Sequence, residues 1–347
     1  MKIRKLASIQ KIKSIVPIQG ADNVELARVL GWNVVVRKGE FKAGDMVVYF
    51  ETDSILPDEP EFEFLKNSKG KIKPLKAKKI RGVVSQGLVM PLSAFEGLDL
   101  SESIGVIKYE PEEIIFGKSR SAGCPYILGK FPEFIEKTDE PRVQTLLNLE
   151  DFIGKDFILT EKIDGTSFTA FIQGDTVGIC SRKNLIDMKL PTPYSDVFRK
   201  YELNDRLLQF KKCYGENIAI QGEIYGCGIQ GNKYKLDEHR LAIFNVINLD
   251  TGKQSSPYNA YGLTTLVRMG LSHYRVPLID FSFTLQKNHT IDVLVESAKG
   301  SSRFNSEQNR EGIVYRLDDY ELEKMNSYNF IGNRFSFKAI NPDFLCP

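Results

Sequence analysis

The sequence predicts an α+β protein of two domains, and three observations support this. A chain of 347 residues is longer than one hydrophobic core usually serves. Residues 1–105 contain short apolar segments between glycine-containing turns, which is typical of a small β-barrel. From residue 131 onwards, strand-like and helix-like segments mix without regular alternation, which predicts antiparallel sheets flanked by helices.

The first domain is predicted from three strand-like segments, residues 31–38, 46–50 and 82–90. Together they favour an OB-type β-barrel over residues 1–105, a fold that often binds nucleic acid. Residues 106–130 are rich in Pro, Gly and Ser and are predicted to form a linker. The second domain is then predicted over residues 131–347.

The second domain is predicted from the apolar patterns that follow the linker. The predicted strands are 157–161, 168–172, 177–180, 218–224, 241–247, 313–316 and 335–340. The predicted helices are 141–153, 194–212, 258–269 and 291–298. Because many of the strands follow one another directly, we expect antiparallel rather than parallel pairing.

Composition and charge are those of a globular protein, with 42% hydrophobic residues, 27% charged residues and a net charge of +2. One segment departs from this balance, because it contains eight basic residues and no acidic one. These residues are Lys66, Lys69, Lys71, Lys73, Lys76, Lys78, Lys79 and Arg81. Such a segment predicts salt-sensitive binding to phosphate backbones, and a solvated loop is an equally good interpretation.

The patterns of cysteine, histidine and apolar residues argue against a zinc protein, a secreted protein and a membrane protein. The five cysteines are scattered and only three histidines are present, so the sequence does not predict a zinc site. Unpaired cysteines suit a reducing compartment. There is no signal-peptide pattern and no apolar stretch long enough to span a bilayer. We therefore expect an intracellular protein, cytoplasmic or nuclear, with no membrane partner. A monomer is a separate expectation that these patterns do not test.

The segment with the strongest chemical signature is Glu-Lys-Ile-Asp-Gly-Thr-Ser-Phe, residues 161–168. It places Lys162 between two carboxylates, Glu161 and Asp164, at the end of a predicted strand. A lysine amine has a pKa of about 10.4 and is a poor nucleophile until it loses its proton. Burial favours this loss and carboxylates oppose it, so a nucleophilic Lys162 requires a cation such as Mg²⁺ to offset them. A surface turn is the alternative interpretation.

Further polar residues lie in or beside predicted apolar strands. Glu223 lies inside one strand, where an unpaired carboxylate would be costly, and Glu311 precedes another. Lys338 lies in the last predicted strand. Arg182 follows a short strand, and Phe244 lies in an apolar strand where a core role is the alternative.

The order of these residues, from Lys162 to Lys338, resembles the motif order of the covalent nucleotidyltransferases. This superfamily includes polynucleotide ligases and capping enzymes, and the resemblance covers about residues 131–347. The 161–168 segment is closest to the form found in ATP-dependent RNA ligases. Residues 134–144, which include Arg142, resemble an arginine-bearing segment of the subfamily with an N-terminal OB domain. Ser336 departs from the Lys-x-Lys pattern that many relatives have around Lys338.

The resemblance implies sealing of 3′-OH/5′-phosphate breaks through a lysyl-AMP intermediate and an adenylylated 5′ end. The implied cofactors are ATP and Mg²⁺ or Mn²⁺, and the implied partner is RNA as a nicked duplex with an RNA 3′-OH strand, which suits RNA repair. The implied catalytic residues are Lys162, Asp164, Glu223, Glu311 and Lys338. Asp164, Glu223 and Glu311 would hold the metal through water. The implied nucleotide-binding residues are Arg142, Glu161, Lys162, Ile163, Arg182, Glu223, Phe244, Glu311 and Lys338.

Three alternatives remain open from the sequence: a DNA ligase, a GTP-using capping enzyme and a non-catalytic nucleic-acid-binding protein. Many members of the first two classes carry an OB domain after the catalytic domain, and only nine residues follow Lys338. We therefore expect neither of them. The presence of Lys162, Glu223, Glu311 and Lys338 together disfavours the third alternative.

Overall fold

The computed structural model describes residues 6–95, 105–109, 126–137, 139–146, 149–324 and 335–345. The chain divides into two compact units: the first contains residues 1–114, 143–147 and 345–347, and the second contains residues 115–142 and 148–344. The first unit contains the strands β1 (Ala7–Pro17), β2 (Val24–Val29), β3 (Trp32–Arg37), β4 (Met46–Phe50), β5 (Ser54–Ile55), β6 (Lys78–Ile80), β7 (Val83–Ser85), β8 (Leu88–Pro91) and β9 (Ile107–Lys108).

The first unit is built on an antiparallel sheet with strand order β3-β2-β1-β4-β8. The edge strand β3 curls back towards β8, because the Gln86 N–H donates to the Asn33 carbonyl at 2.7 Å. This contact gives the sheet the partly closed shape of an OB barrel. Trp32 and Tyr49 are fully buried inside it. The predicted strand 82–90 is two strands, because the chain turns at Gln86 and Gly87 between β7 and β8.

The strands β6 and β7 form a separate hairpin at the end of the basic segment. Arg81 and Gly82 make its two-residue turn, with φ angles of +50° and +83°, as a tight hairpin turn requires. Lys78, Lys79 and Arg81 are all exposed. The hairpin therefore presents three cations at the surface.

The second unit contains the remaining strands and the helices. Its strands are β10 (Ile127–Lys130), β11 (Asp156–Lys162), β12 (Thr166–Gln173), β13 (Thr176–Cys180), β14 (Asn184–Ile186), β15 (Ile218–Gly226), β16 (His239–Asn248), β17 (Gln254–Ser255), β18 (Leu278–Thr284), β19 (Gly312–Leu317) and β20 (Ser336–Ile340). Its helices are α1 (Pro193–Lys200), α2 (Leu203–Tyr214), α3 (Ala260–Arg268), α4 (Ile291–Ser297), α5 (Asp319–Lys324) and α6 (Pro342–Leu345).

Two antiparallel sheets organise this unit, as the sequence predicts. One has the strand order β10-β14-β13-β12-β15-β16-β17 and the other has the order β18-β11-β19-β20. On the larger sheet, alternate residues such as Phe168 and Ile220 pack in one core with Leu207 of α2. Residues of the opposite parity, among them Glu223, lie on the other face of the sheet. The helices therefore cover one face and leave the other for the second sheet.

A β-bulge interrupts the pairing of β15 with β16. Gln221 pairs with Asn245 and Gly222 pairs with Ile243, so Phe244 is the extra residue. Ile243 and Val246 both pack in the helix-side core, although they are three residues apart. The bulge therefore changes the alternation, so that Phe244 and Asn245 both lie on the face away from the helices.

A buried polar chain joins the two sheets. The Arg316 guanidinium on β19 donates to the Asn245 side-chain carbonyl at 2.8 Å, and Asn245 in turn donates to Gln221 at 2.8 Å. The Gln221 side chain donates to the Glu136 carbonyl at 2.9 Å. Because buried polar groups are costly when unpaired, these bonds fix how the sheets pack on each other.

Three further predictions are corrected by the structure. In its described residues, the predicted helix 141–153 contains only the 3₁₀ turns Val143–Thr145 and Leu149–Phe152. The backbone at 141–142 pairs with β20 instead. The predicted helix 194–212 is two helices, since Glu202 adopts a φ of +50° between them. Residues 127–130, assigned to the linker, form the edge strand β10 and pair with β14. Most of the predicted linker, residues 110–125, lies outside the described residues.

In the part of the chain that the structure describes, we find no helix with the length and apolar character needed to cross a membrane.

Candidate active site

Lys162 is the last residue of β11 and lies beside the neighbouring strand β19. Its Nζ is 2.7 Å from Oε2 of Glu311, the residue that directly precedes β19. The Lys162 and Glu311 side chains are 25% and 17% exposed, so this ion pair is only partly screened by water. The structure therefore brings together two residues that are separated by 149 positions in the chain.

The carboxylates around Lys162 control its charge. Burial lowers the pKa of the Lys162 amine, but attraction by Glu311 and Glu223 outweighs burial and raises this pKa overall. The hydrogen bond to Glu311 and the negative charge of Asp164 act in the same direction. Without an added cation, Lys162 is therefore held in its protonated form.

Glu223 occupies a partly buried position on β15, opposite Ser167 of β12. Burial raises the pKa of the Glu223 carboxyl to about 8. The positive charge of Lys162 opposes this shift, while the negative charge of Glu311 adds to it. A carboxyl group that is difficult to ionise inside a polar cleft is typical of a cation-binding or catalytic position.

Asp164 is held by a loop that the sequence analysis did not identify as functional, residues 227–238. The Lys233 Nζ is 2.9 Å from Oδ2 of Asp164, and the Asp164 N–H donates to the Tyr234 hydroxyl at 2.9 Å. The Gln230 side chain donates to the Gly165 carbonyl at 3.3 Å. The only signal for this loop in the sequence was its group of glycines directly after the Glu223 strand.

Two glycines beside the acidic residues allow neighbouring strands to approach closely. A Cβ on Gly165 would lie 2.3 Å from the Ile224 carbonyl oxygen and 2.7 Å from the Cγ of Glu223. A Cβ on Gly312 would lie 2.2 Å from the Ala339 carbonyl oxygen. These distances are far below van der Waals contact, so the glycines are needed to bring Glu223 towards Lys162 and the Lys338 strand towards Glu311.

Two of the predicted nucleotide-binding cations, Arg182 and Lys338, lie around one carboxylate, Asp139. Asp139 Oδ2 is 3.2 Å from the Arg182 guanidinium, and Asp139 Oδ1 is 3.6 Å from the Lys338 Nζ. Arg142 is bridged to Lys338 through the backbone, and the Lys338 N–H donates to the Pro141 carbonyl at 2.8 Å. Asp139 was not singled out from the sequence, although it lies in the segment that contains Arg142.

The charge of Lys338 is sensitive to its surroundings. Burial lowers the pKa of the Lys338 amine to about 8, and repulsion from Lys162 and Arg142 adds to the shift, while Asp139 opposes it. An anion bound here would raise this pKa, because it would favour the protonated form. Lys338 is thus well placed to bind an anion near neutral pH.

The remaining predicted residues lie in two different environments. Phe244 is partly buried and packs against the cluster that contains Ile163 and Tyr234, beside the nucleophile motif. Glu161 is 1% exposed, and its carboxylate accepts the Arg303 N–H at 2.7 Å. Burial raises the pKa of the Glu161 carboxyl. The roles of all the predicted site residues stay predictions.

The donor atoms fit a hydrated divalent cation better than a fully chelated one. Among the described residues, no three His, Cys, Asp or Glu side chains are arranged to hold a metal ion directly. Asp164, Glu223 and Glu311 nevertheless all act electrostatically on the Lys162 amine. Carboxylate oxygens suit Mg²⁺, which usually retains several of its waters.

Comparison with known families identifies the chain. A family model described as RNA ligase matches residues 155–340, which is more than half of the chain. A model described as an OB-fold domain matches residues 6–92. The chain therefore belongs to the RNA ligase family, with an OB-fold domain ahead of the ligase domain. This result confirms the family resemblance, the fold class and the expectation of an enzyme.

Solved structures of Naegleria gruberi RNA ligase are similar to this chain over nearly its whole length. The structure with PPi is 32% identical, covers 99% of this chain and 98% of that chain, and gives a TM-score of 0.79. A lysine variant of the same protein with AMP and Mn has the same identity and coverage and a TM-score of 0.80. A lysine variant with ATP and Mn has 32% identity, 98% coverage of each chain and a TM-score of 0.79. No curated protein sequence matches the chain.

Proposed function

We propose that this protein is an ATP-dependent RNA ligase that seals 3′-OH/5′-phosphate breaks through a lysyl-AMP intermediate. The observation that carries the proposal is the position of Lys162, whose amine lies at a strand end among the carboxyl groups of Asp164, Glu223 and Glu311. The complexes of the Naegleria gruberi enzyme with ATP, AMP and PPi support the choice of nucleotide.

In the first step, the neutral Lys162 amine attacks the α-phosphorus of ATP. A P–N bond forms, the bond to the bridging oxygen of the β-phosphate breaks, and pyrophosphate leaves with its electron pair. The amine must first lose a proton that Glu311 and Glu223 help it to keep. A divalent cation, Mg²⁺ or Mn²⁺, held through water by these carboxylates and Asp164, would offset their charge and that of the triphosphate.

The cations around Asp139 are proposed to bind the phosphates. Lys338 and Arg182 would contact the triphosphate and the nucleic-acid end, and Arg142 would contact the phosphate of AMP. Arginine suits this task because its planar guanidinium can bind two phosphate oxygens at once. The contacts of Arg182 and Lys338 with the Asp139 carboxylate support this assignment, because they place two cations around a negatively charged group.

The adenine base is proposed to lie against Phe244. This side chain lies on the sheet face away from the helix-side core and packs against the cluster that contains Ile163, next to the nucleophile. Stacking of a base on an aromatic ring contributes about 1–3 kcal/mol and does not distinguish bases strongly. Glu161 and Ile163, which flank Lys162, would contribute the remaining nucleotide contacts.

Two further transfers complete sealing. An oxygen of a 5′-phosphate end attacks the phosphorus of Lys162–AMP, which releases the lysine and leaves an adenylylated 5′ end. A 3′-OH then attacks the 5′-phosphate, expels AMP and forms the phosphodiester bond. Because the OB-fold domain precedes the ligase domain, we propose that the substrate is a nicked duplex with an RNA 3′-OH strand, and that the protein functions in RNA repair.

The sealing of matched nicked duplexes tests this proposal. Two substrates should differ only in whether the 3′-OH strand is RNA or DNA. We expect the protein to seal both nicks when ATP is present. The rate should be at least about tenfold higher when the 3′-OH strand is RNA. Equal rates would contradict the proposed strand preference, and absence of sealing with ATP and either metal would contradict the ligase function.

The basic segment of the first unit, which includes part of the β6–β7 hairpin, is proposed to bind the duplex. Within the described residues, Lys66 is paired with Asp58 at 2.8 Å and also with Glu63. The other seven basic residues of the segment are exposed and form no ion pair with any described residue: Lys69, Lys71, Lys73, Lys76, Lys78, Lys79 and Arg81. Seven cations that have no carboxylate partner among the described residues form a surface suited to a phosphate backbone.

Neutralising the hairpin should reduce nick sealing without affecting the first step. In the variant Lys78→Gln, Lys79→Gln, Arg81→Gln, we expect the slope of log affinity for the duplex against log salt to fall by about one for each lost phosphate contact. Transfer of AMP to the protein should be unchanged. Binding should be measured by fluorescence anisotropy at several salt concentrations.

A matched variant controls for the loss of charge alone. Lys11, Lys38 and Lys42 are also exposed residues of the first unit outside the basic segment, and their replacement by glutamine removes the same three charges. If this control changes the salt slope as much as the hairpin variant does, binding depends on net charge and not on the hairpin.

A further inference from the structure

Asp139 lies between two of the proposed phosphate-binding cations. Its two carboxylate oxygens contact different partners, Oδ2 with the Arg182 guanidinium at 3.2 Å and Oδ1 with the Lys338 amine at 3.6 Å. Asp139 and Arg182 are half exposed, so a ligand from solution can reach them. The carboxylate therefore joins two cations that come from different sheets.

The chain on either side keeps Asp139 close to Lys338. The next residue, Glu140, accepts a hydrogen bond from the Ser336 hydroxyl on the Lys338 strand. The Pro141 carbonyl then accepts the Lys338 N–H at 2.8 Å. Because these two bonds fasten the segment to β20, Asp139 is held at the cations by its own backbone. This arrangement differs from that of a surface acid on a free loop.

A carboxylate in this position resembles part of a bound phosphate. Both groups offer negatively charged oxygens to arginine and lysine donors at similar distances. A phosphate that binds Arg182 and Lys338 must displace Asp139 or share the cations with it. In either case the carboxylate lowers the net affinity of this part of the site for phosphate, because like charges repel.

We propose that Asp139 is a positioning residue that holds Arg182 and Lys338 in the absence of phosphate and competes with pyrophosphate for them. This inference rests on the proposed function, since it assigns those two cations to the triphosphate. As pyrophosphate leaves after the first step, Asp139 takes its place at the cations. Asp139 therefore promotes release of pyrophosphate.

The same competition protects the intermediate. In the reverse of the first step, a pyrophosphate oxygen attacks the phosphorus of Lys162–AMP. The P–N bond breaks, the lysine recovers its electron pair and ATP is formed. Before it can attack, pyrophosphate must displace Asp139 or share the two cations with it, so a higher pyrophosphate concentration is needed.

Titration of the preformed adduct with pyrophosphate tests this competition. Protein carrying AMP would be freed of ATP and treated with increasing pyrophosphate and Mg²⁺, and loss of the adduct would be followed by intact mass. We expect Asp139→Asn to reach half-maximal rate at a pyrophosphate concentration about fivefold lower than the parent does. The rate of adduct formation at saturating ATP should be measured for both proteins, so that an effect on the first step is distinguished from a change in the pyrophosphate requirement.

Asp196→Asn is a matched control. Asp196 also pairs with an arginine, Arg199, at 2.7 Å, and it is 47% exposed, compared with 48% for Asp139. It lies on α1, outside the proposed site, and its replacement should leave the pyrophosphate titration unchanged. An unchanged or higher pyrophosphate requirement in Asp139→Asn would overturn the inference, as would failure of this folded variant to form the adduct.

The outcomes separate this inference from the proposed function. If the parent protein itself forms no adduct with ATP, the ligase function fails before Asp139 is tested. If the parent forms the adduct and Asp139→Asn responds to pyrophosphate as the parent does, only the role of Asp139 fails. If the asparagine variant does not fold, the pyrophosphate titration should be carried out with Asp139→Ser, which also removes the charge.

Discussion

Replacing Lys162 with alanine is expected to abolish attachment of AMP to the protein. No other described side chain has an amine with the same three carboxyl groups acting on it, and the nucleophile cannot be replaced by water without loss of the covalent intermediate. Sealing that starts from ATP should fall by about 10³-fold or more. The measurement is intact mass after incubation with ATP and Mg²⁺, compared with GTP in place of ATP.

Lys155 provides an internal control, because it directly precedes β11, the strand that ends at Lys162. Its Nζ is 2.9 Å from Oε2 of Glu321, and its side chain is 30% exposed, close to the 25% of Lys162. Lys155→Ala removes a similar ion pair and should still form the adduct. If Lys162→Ala carries AMP as well as the parent does, Lys162 is not the nucleophile.

The second large effect is expected for Glu311→Gln. We expect the rate of AMP transfer to Lys162 to fall by about 10²–10³-fold at saturating ATP, because the site loses a carboxylate proposed to hold the hydrated metal. The result is informative because the rate of AMP transfer would rise, not fall, if Glu311 acted only through its charge on the Lys162 amine. Glu311 stabilises the protonated Lys162 amine, so its removal alone would favour the neutral, nucleophilic form.

The pH profile separates these two effects. The rate of attack rises with pH until the attacking amine has lost its proton. Glu311 raises the pKa of Lys162, and Glu311→Gln should therefore move this rise to lower pH while the plateau rate falls. Adduct formation should be measured by rapid quench from about pH 6 to about pH 9. A higher plateau in the variant would exclude a role of Glu311 in metal binding.

Glu321→Gln is the matched control for this variant. Glu321 pairs with Lys155 and is 14% exposed, compared with 17% for Glu311. Both variants remove one carboxylate from a similar ion pair, with a lysine at the end of β11 in one case and directly before β11 in the other. If both variants slow adduct formation equally, the effect of Glu311→Gln is a structural effect of losing an ion pair near β11. It is then not evidence for a role of Glu311 in the site.

The family could be recognised from the sequence because each motif contains its chemistry within a few residues. Lys162, Glu223 and Glu311 each lie in a strand or directly before one, and each is within three residues of a glycine. This local pattern can be recognised without any knowledge of the fold. The close approaches at Gly165 and Gly312 give the physical reason for the pattern, since the strand of the next motif passes directly over each glycine.

Contacts between distant segments could not be read in the same way. Asp139 meets Arg182 and Lys338 only after two sheets have packed, and Lys233 reaches Asp164 from a loop without a fixed motif. The helix predicted over 141–153 fails for the same reason. Its first residues pair with β20, and this long-range pairing outweighs a local helical pattern of apolar residues.

The bulge in β16 has a consequence for how this strand tolerates change in length. The extra residue divides the strand into two halves of opposite phase, one carrying Phe244 towards the nucleophile and the other carrying Asn245 into the polar chain that joins the sheets. Deleting one residue there would restore regular alternation and turn one of these halves over. Every side chain of that half would then lose its present contacts. This strand should therefore tolerate substitutions far better than a deletion or an insertion.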